Sequence, residues 1–296
     1  MTPLSGPGNG PAGRTALLTS GPVVVGVDGS AGSRAALRWA ADEAGLRRRT
    51  LLVAHASTDA GNRPAAELLL HSCTAEASAR QPAIPVTSLV SQSGAADTLI
   101  ELSLDADLIV LGPGTRSAML GSVSRQVNAH AHCPVAAMPA ATAVLATGDE
   151  LRRRPIVVAM AGRPTDSFVL DFALAEAQLR AAGLLAIRVV PPADVDTSLR
   201  QGHSELEFEL ALFRPRYPQV ALTARCLPGE PAQALLDAAA SAQLLVLGGR
   251  HSDQLWAGRL GPVPTELLAR TPCPVIVVGQ SARHQTPLES FGGARR

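Results

Sequence analysis

The most constraining feature of this 296-residue chain is that one segment occurs twice. LIVLG begins the first copy and LLVLG the second, and each copy ends in CPV. Gly112 and Gly248 lie 136 residues apart, whereas Cys133 and Cys273 lie 140 apart, so the first copy has a loop four residues shorter. A repeat of about 135 residues is far longer than a solenoid unit, and it therefore predicts two domains of one fold.

The length suits two domains, each large enough to bury its own core. The predicted division is a disordered tail at 1–20, a first domain at 21–140, a linker at 141–154, a second domain at 155–280 and a tail at 281–296. Hydrophobic residues make up 46% of the chain but aromatic residues only 3%. We therefore expect cores packed with Ala, Val, Leu and Ile.

Composition argues against several classes of protein. The formal net charge is only +1, which gives no electrostatic case for binding nucleic acid. The four cysteines form no C-x-x-C pair and suggest reduced thiols in the cytoplasm. No apolar run approaches the roughly 18 residues of a membrane span, and the N-terminus lacks the pattern of a signal peptide. We expect a cytoplasmic protein without membrane or nucleic-acid partners.

Short apolar runs alternate with helical patterns through both copies. Predicted strands lie at 23–27, 50–56, 86–90, 108–111 and 135–138, and again at 156–160, 184–190, 220–226, 244–247 and 275–278. In the second copy, helices are predicted near 166–181, 203–213, 231–241 and 263–270. This alternation is typical of α/β proteins with parallel sheets. The predicted fold class is α/β, with two tandem, open, five-stranded, Rossmann-like parallel sheets.

A glycine-rich loop follows the fourth strand. Its turn, Gly112-Pro113-Gly114, is followed by Gly121-Ser122-Val123-Ser124, where a helix is predicted to begin. Backbone N–H groups and hydroxyls at a helix N-terminus suit a phosphate. The alternative is an ordinary helix start in which one of the two serines is the N-cap and no ligand binds.

Asp28 follows the first strand, and ligands of open parallel sheets bind at the carboxyl ends of the strands. Its carboxylate could accept hydrogen bonds from ribose, adenine or metal-bound water. The alternative is a plain turn residue, since Asp-Gly is common in turns. His55 is interpreted as a half-buried strand residue. His130 and His132 do not share a helical face, so no metal site is predicted. No Ser/His/Asp or Cys/His constellation and no general base stands out, so no catalytic residue is predicted.

The segments VVVGVDGS, VAHA, DADLIVLG, GSVS and HCPV resemble the universal stress protein family, and the tandem repeat is similar to its two-domain members over residues 21–280. The resemblance implies a five-stranded parallel α/β fold. It also implies that the last strands pair between the domains around a pseudo-twofold axis. It places Asp28 in a nucleotide cleft, with the backbone of Ala56 holding adenine. The implied ribose and phosphate residues are Gly112, Gly114, Gly121, Ser122, Val123 and Ser124.

Each copy departs from the family pattern in a different way. The pattern places the first and last glycines thirteen positions apart, but Gly112 and Gly121 are only nine apart. The second copy keeps the spacing, yet Ala161 stands where the acid is expected and His251 replaces the middle glycine. Pro262 and Pro264 replace the two serines, which removes hydroxyls and amide donors. We therefore expect the second site to bind no nucleotide.

Three functions remain open. The first is a stress-response regulatory protein that senses ATP, with or without Mg²⁺, in its first domain. The second is a nucleotide-free interaction or dimerisation module of the same fold. The third is a slow ATP hydrolase, although the chain has no Walker-type lysine and no evident water-activating base. Besides the adenine nucleotide, a homodimer and an unidentified protein partner are left open.

Overall fold

The structure is a computed structural model. It describes residues 21–113, 121–139, 153–163, 166–190, 195–249 and 260–279. Gly114 and His251 of the sequence analysis lie outside the described residues, as do both terminal tails and most of the linker. No helix in these ranges is both long and apolar enough to cross a membrane.

Ten strands form one continuous sheet, and helices cover both of its faces. The strands are β1 (Val23–Gly26), β2 (Leu51–Ala56), β3 (Val86–Ser91), β4 (Leu108–Leu111), β5 (Val135–Ala137), β6 (Ile156–Met160), β7 (Leu184–Val190), β8 (Leu222–Pro228), β9 (Leu244–Gly248) and β10 (Val275–Val278). The helices in the described ranges are α1 (Ala31–Arg47), α2 (Arg63–Arg80), α3 (Ala95–Leu102), α4 (Ser122–His130), α5 (Asp166–Leu179), α6 (Val195–Phe213), α7 (Pro231–Ala239) and α8 (Pro262–Arg270).

The strand order is β3-β2-β1-β4-β5-β10-β9-β6-β7-β8. Within each domain all neighbouring strands are parallel, and each half has the order 3-2-1-4-5 counted from its outer edge. The halves meet at β5 and β10, which run antiparallel with Ile276 opposite Ala136. The predicted α/β fold is confirmed, and so is the expected pairing of the last strands between the domains.

The inner strands β1, β4, β5, β6, β9 and β10 are almost entirely buried because helices cover both faces of the sheet, as their apolar sequences predict. The outer strands β3 and β8 are mostly exposed or half-buried. On the face of α1, α2, α5 and α6, one hydrophobic cluster runs through both domains. Two smaller clusters occupy the other face, under α3 and α4 and under α7 and α8. The apolar stripe of α1 is fully buried and consists of Ala36, Leu37, Ala40, Ala41 and Ala44. The two halves therefore share a core as well as a sheet.

The predicted starts of α6 and β8 in the second domain were wrong, and β8 also ends at Pro228 rather than at Cys226. Helix α6 begins at Val195 rather than at His203, because Gly202 does not interrupt it. A Cβ on Gly202 would lie 2.8 Å from Sγ of Cys226, so this glycine allows the helix to pack closely on the sheet. Strand β8 begins at Leu222 rather than at Val220, because the N–H of Val220 donates to the carbonyl of Tyr217 in a turn.

Candidate functional site

A cleft of about 390 Å³ opens at the carboxyl ends of β1, β2 and β4. Seven of the eight site residues expected from the sequence line it; the eighth, Gly114, is not described. The lining residues are Gly26, Val27, Asp28, Ser33, Ala54, Ala56, Ala95, Thr98, Leu99, Leu111, Gly112, Pro113, Gly121, Ser122, Val123 and Ser124. The open parallel sheet therefore brings together segments that are almost 100 residues apart in the chain.

The loop after β1 is closed by its own hydrogen bonds. Gly29 has a φ of +82°, which reverses the chain and favours glycine. The N–H of Ser30 donates to Oδ1 of Asp28 at 2.9 Å, and the N–H of Asp28 donates to Oγ of Ser33 at 3.3 Å. Ser30 is the N-cap of α1, and its Oγ accepts from the N–H of Ser33. Asp28 is thus held at the cleft.

Partial burial acts to raise the pKa of Asp28, but the hydrogen bonds from Ser30 and Ser33 outweigh it, and the pKa is lowered from its ordinary value of 3.8. The carboxylate is therefore ionised at neutral pH. Asp28 does act as a turn residue, because its Oδ1 accepts a hydrogen bond from the N–H of Ser30. The residue also lines the cleft, so it can contact a ligand as well.

The other side of the cleft is the N-terminus of α4. Gly121 is the N-cap, with φ −60° and ψ 157°, and no side chain in the described part of the chain caps this helix. The alternative in which Ser122 or Ser124 is the N-cap is therefore wrong. The first intrahelical bond runs from the N–H of Arg125 to the carbonyl of Gly121. The N–H groups of Ser122, Val123 and Ser124 precede that bond and remain available to a ligand.

Gly112 allows the chain that follows β4 to approach the start of α1 closely. A Cβ at this position would lie 2.8 Å from both the carbonyl carbon and the oxygen of Gly32, and 2.9 Å from the N of Ser33. These are backbone atoms that cannot rotate aside, so only glycine fits where β4 approaches the start of α1. A Cβ on Gly32 would in turn lie 2.8 Å from Cγ of Pro113.

The far end of the cleft is mostly apolar, and Ala54, Ala56 and Leu99 line it. The N–H of Ser57 donates to the carbonyl of Ser91 on β3. Because successive residues of a strand point their backbone groups to opposite sides, the N–H and C=O of Ala56 are directed towards the line of β1. Strand β1 ends at Gly26, so these groups face the cleft.

Helix α3 contributes Ala95, Thr98 and Leu99 to this end, and the sequence analysis did not identify them. Their spacing along the helix indicates a buried helix face, but it does not indicate that a ligand binds there. His55 is half-buried on β2, as predicted, and its Nδ1 lies 2.7 Å from the carbonyl oxygen of Val27.

The second domain repeats the backbone of the first loop, but Ala161 stands at the position of Asp28. Gly162 has a φ of +75° and corresponds to Gly29. Asp166 occupies the position of Ser33; it is buried, and its Oδ2 accepts from the N–H groups of Ala161 at 2.6 Å and of Arg163 at 3.2 Å. This carboxylate therefore closes the loop and takes over the bond that Ser33 makes in the first domain.

Helix α8 differs from α4 at its first turn. Both have a glycine N-cap in extended conformation, Gly121 and Gly261. In α8, however, Pro262 and Pro264 occupy the positions of Ser122 and Ser124. Because proline has no N–H, two of the three donors present in the first domain are missing from the second.

Comparison with known proteins agrees with this architecture. A family model described as the universal stress protein family matches residues 20–139 and again residues 152–279. Universal stress protein Rv2005c of Mycobacterium tuberculosis is 31% identical over 291 residues, covering 88% of this chain and 97% of that protein. Universal stress protein Rv2623 of the same organism is 30% identical and covers 88% and 96%. The crystal structure of a universal stress protein from Archaeoglobus fulgidus has a TM-score of 0.68 at 19% identity, covering 88% and 98%.

Proposed function

The chain belongs to the universal stress protein family, and from this premise we propose that its first domain is a regulatory site for an adenine nucleotide, ATP, and that its second domain binds none. One observation carries the proposal. A single cleft has free helix N–H donors at one end, an apolar pocket at the other and an ionised carboxylate at its edge. The N–H donors suit the phosphates, the apolar pocket suits the base, and the carboxylate suits the ribose hydroxyls.

In the proposed complex the phosphates lie at the N-terminus of α4, where the helix dipole and the free donors attract negative charge. The base lies against Ala54 and Leu99, and the backbone groups of Ala56 bond its edge. Asp28 accepts from the ribose hydroxyls. The cleft volume of about 390 Å³ falls within the range of small-molecule sites.

The nucleotide is expected to be sensed rather than consumed. Asp28 is the one charged residue among those that line the described part of the cleft, and Oδ1 of its carboxylate already accepts from Ser30. No lysine or arginine in that set could stabilise charge on a transferred phosphoryl group. The described ranges contain no cluster of three or more His, Cys, Asp or Glu side chains that could hold a metal ion. Any Mg²⁺ would therefore arrive bound to the phosphates.

The second domain supplies the variant that tests this proposal. The double variant Ser122→Pro, Ser124→Pro gives the first turn of α4 the two prolines that α8 has at the same positions. Because α8 is helical with these prolines, α4 should form with them as well. Bound at about 100 times its Kd, Mg-ATP should add about 2.7 kcal/mol to the unfolding free energy of the wild type. The proline variant should keep the wild-type melting temperature without nucleotide and lose this increment.

A second variant, Asp28→Ala with Gly121→Ala, changes one residue on each side of the cleft and should also lose the increment. Thermal unfolding with and without Mg-ATP measures all three proteins. An equal increment in the wild type and both variants would show that ATP binds elsewhere. Phosphate release under turnover conditions would instead indicate a hydrolase.

A nucleotide-free interaction module is the second candidate, and a surface on α6 favours it. Phe208 and Leu212 lie one helical turn apart, and their exposed fractions are 68% and 64%. Neighbouring exposed apolar side chains of this size are characteristic of protein contacts. Unchanged wild-type stability at millimolar ATP would favour this candidate over the first.

A further inference from the structure

One polar side chain lies at the apolar end of the described cleft. It belongs to Thr98 of α3, which is 5% exposed and lines the cleft together with Ala54, Ala56 and Leu99. Its Oγ1 donates a hydrogen bond to Oγ of Ser91, the last residue of β3, at 2.8 Å. Oγ of Ser91 also accepts from the N–H of Ser93 at 3.1 Å. The Thr98 hydroxyl is therefore held in place from outside the cleft.

This bond determines what the hydroxyl can do for a ligand. A threonine hydroxyl has one proton and two lone pairs, and the proton of Thr98 is directed at Ser91. Only lone pairs remain, so the group can accept a hydrogen bond but cannot donate one. A ligand amino group placed there forms a hydrogen bond, whereas a ligand carbonyl brings two acceptors together and leaves both unsatisfied.

The internal repeat indicates that the fold does not require the hydroxyl pair. Strands β2 and β3 pair Ala56 with Ser91, and strands β7 and β8 pair Val189 with Leu227. Leu227 is thus the counterpart of Ser91. Counted from the starts of α3 and α7, Ala234 is the counterpart of Thr98. Both hydroxyls are missing from the domain that also lacks the carboxylate and two of the N–H donors.

We propose that Thr98, held by Ser91, determines base specificity in the first-domain cleft and selects a 6-aminopurine over a 6-oxopurine. The inference rests on the proposed nucleotide site and deepens it. Thr98 accepts from the amino group of the base, and Ser91 acts as a positioning residue by keeping the proton of Thr98 away from the ligand.

Adenosine and inosine triphosphate are suitable probes because they carry the same ribose and phosphates and differ only on one edge of the base, where inosine has a 6-oxo group and a protonated N1. Isothermal titration calorimetry gives a Kd for each. The wild type should bind ATP more tightly than ITP. Thr98→Val, which keeps the shape but removes the hydroxyl, should reduce that preference about tenfold, mainly by weakening ATP. Thr98→Ser, which keeps the hydroxyl, should retain the preference.

The variant Ser91→Ala distinguishes a positioning role of Ser91 from a general effect on the fold. Without its acceptor, the Thr98 hydroxyl can rotate and donate to a 6-oxo group. ITP binding should therefore strengthen while ATP binding remains, which a merely structural role for Ser91 would not produce. This variant also carries the test if Thr98→Val fails to fold.

An unchanged ratio of the ATP and ITP dissociation constants in Thr98→Val and Ser91→Ala, with ATP still bound, would overturn the role of Thr98 and leave the nucleotide site intact. Failure of the wild type to bind either nucleotide would overturn the proposed function, and this inference with it.

Discussion

Nη2 of Arg180 donates to Oε2 of Glu43 at 2.6 Å, across the boundary between the two domains. Glu43 also accepts from Arg47 on its own helix, at 2.8 Å, and Arg180 also donates to Glu176 on α5. A contact between Arg47 and Glu176 closes the ring. All four side chains are at most 14% exposed. The ring follows the pseudo-twofold symmetry, because each α1 residue has its counterpart 133 positions later.

The ring predicts a large stability loss when one charge is removed. Glu43→Gln leaves Arg47 and Arg180 without one of their carboxylate partners in a buried site, which typically costs about 3–5 kcal/mol. The adjacent residue provides a matched control. Asp42 pairs with Arg80 at 2.6 Å on the surface, so Asp42→Asn should cost less than about 1 kcal/mol. Urea unfolding measures both variants, and equal losses would contradict the role given to the ring.

The ring also predicts acid sensitivity. Burial alone would raise the pKa of Glu176, but attraction to Arg47 and Arg180 outweighs it and holds the pKa below its ordinary value of 4.5. As the pH falls through 4.5, the unfolded chain takes up the proton first, so the contribution of Glu176 is complete above this pH and is lost towards the lower pKa of the folded state. Unfolding free energies between pH 3 and pH 7 should fall less steeply in Glu176→Gln. Parallel curves would refute this.

Gly112 and Gly248 are counterparts, and we predict that alanine destabilises the protein at Gly112 but not at Gly248. In Gly112→Ala the new Cβ meets backbone atoms of Gly32 and Ser33 at 2.8–2.9 Å, so the fold should lose about 1–3 kcal/mol and nucleotide binding should weaken. In Gly248→Ala the Cβ meets only Cγ2 of Val169, at 3.4 Å, and little change is expected. Melting temperatures and ATP titrations compare the two variants. A greater loss from Gly248→Ala would be inconsistent with the close approach at Gly112.

The four cysteines should differ in reactivity. Burial raises the pKa of Cys133 to about 12 and that of Cys273 to about 11, and Cys73 is fully buried. Cys226 is only half-buried, so it should be the first thiol labelled in the folded protein. Its pKa is also raised by burial, so labelling should be slow at pH 7 and accelerate as the pH rises.

Labelling by a chromogenic disulfide in native buffer, followed by labelling in denaturant, tests this order. Cys226→Ser should abolish the first phase and leave three thiols to react after unfolding. Loss of the first phase in Cys133→Ser instead would mean that the core around β5 opens more readily than its burial indicates.

Much of the fold could be predicted because its signals are local. The apolar runs at Leu108–Leu111 and Val275–Val278 have the bounds that the sequence analysis predicted. Asp28 and Gly121 were expected at one cleft because turn and helix-start residues follow buried strands, and parallel strands place their carboxyl ends along one edge. Both residues line the cleft. The N-cap of α4 was not predicted, since the serine N-cap considered as an alternative is wrong and Gly121 takes that position. Cap geometry depends on backbone angles that residue type does not determine.

By itself, the sequence determined the number of domains, the order of strands and helices, and the different polar groups of the two copies, since these follow from a repeat and from short-range hydrophobic patterns. Only the tertiary structure decided the Glu43–Arg180 ring and the Thr98–Ser91 bond. The motif EAGLR in α1 recurs as EAQLR at 176–180, which begins in α5 and ends one residue beyond it. The two segments meet only because β5 and β10 pair antiparallel and bring the helices together. A contact between residues 137 positions apart depends on sheet register and helix packing, which no local pattern encodes.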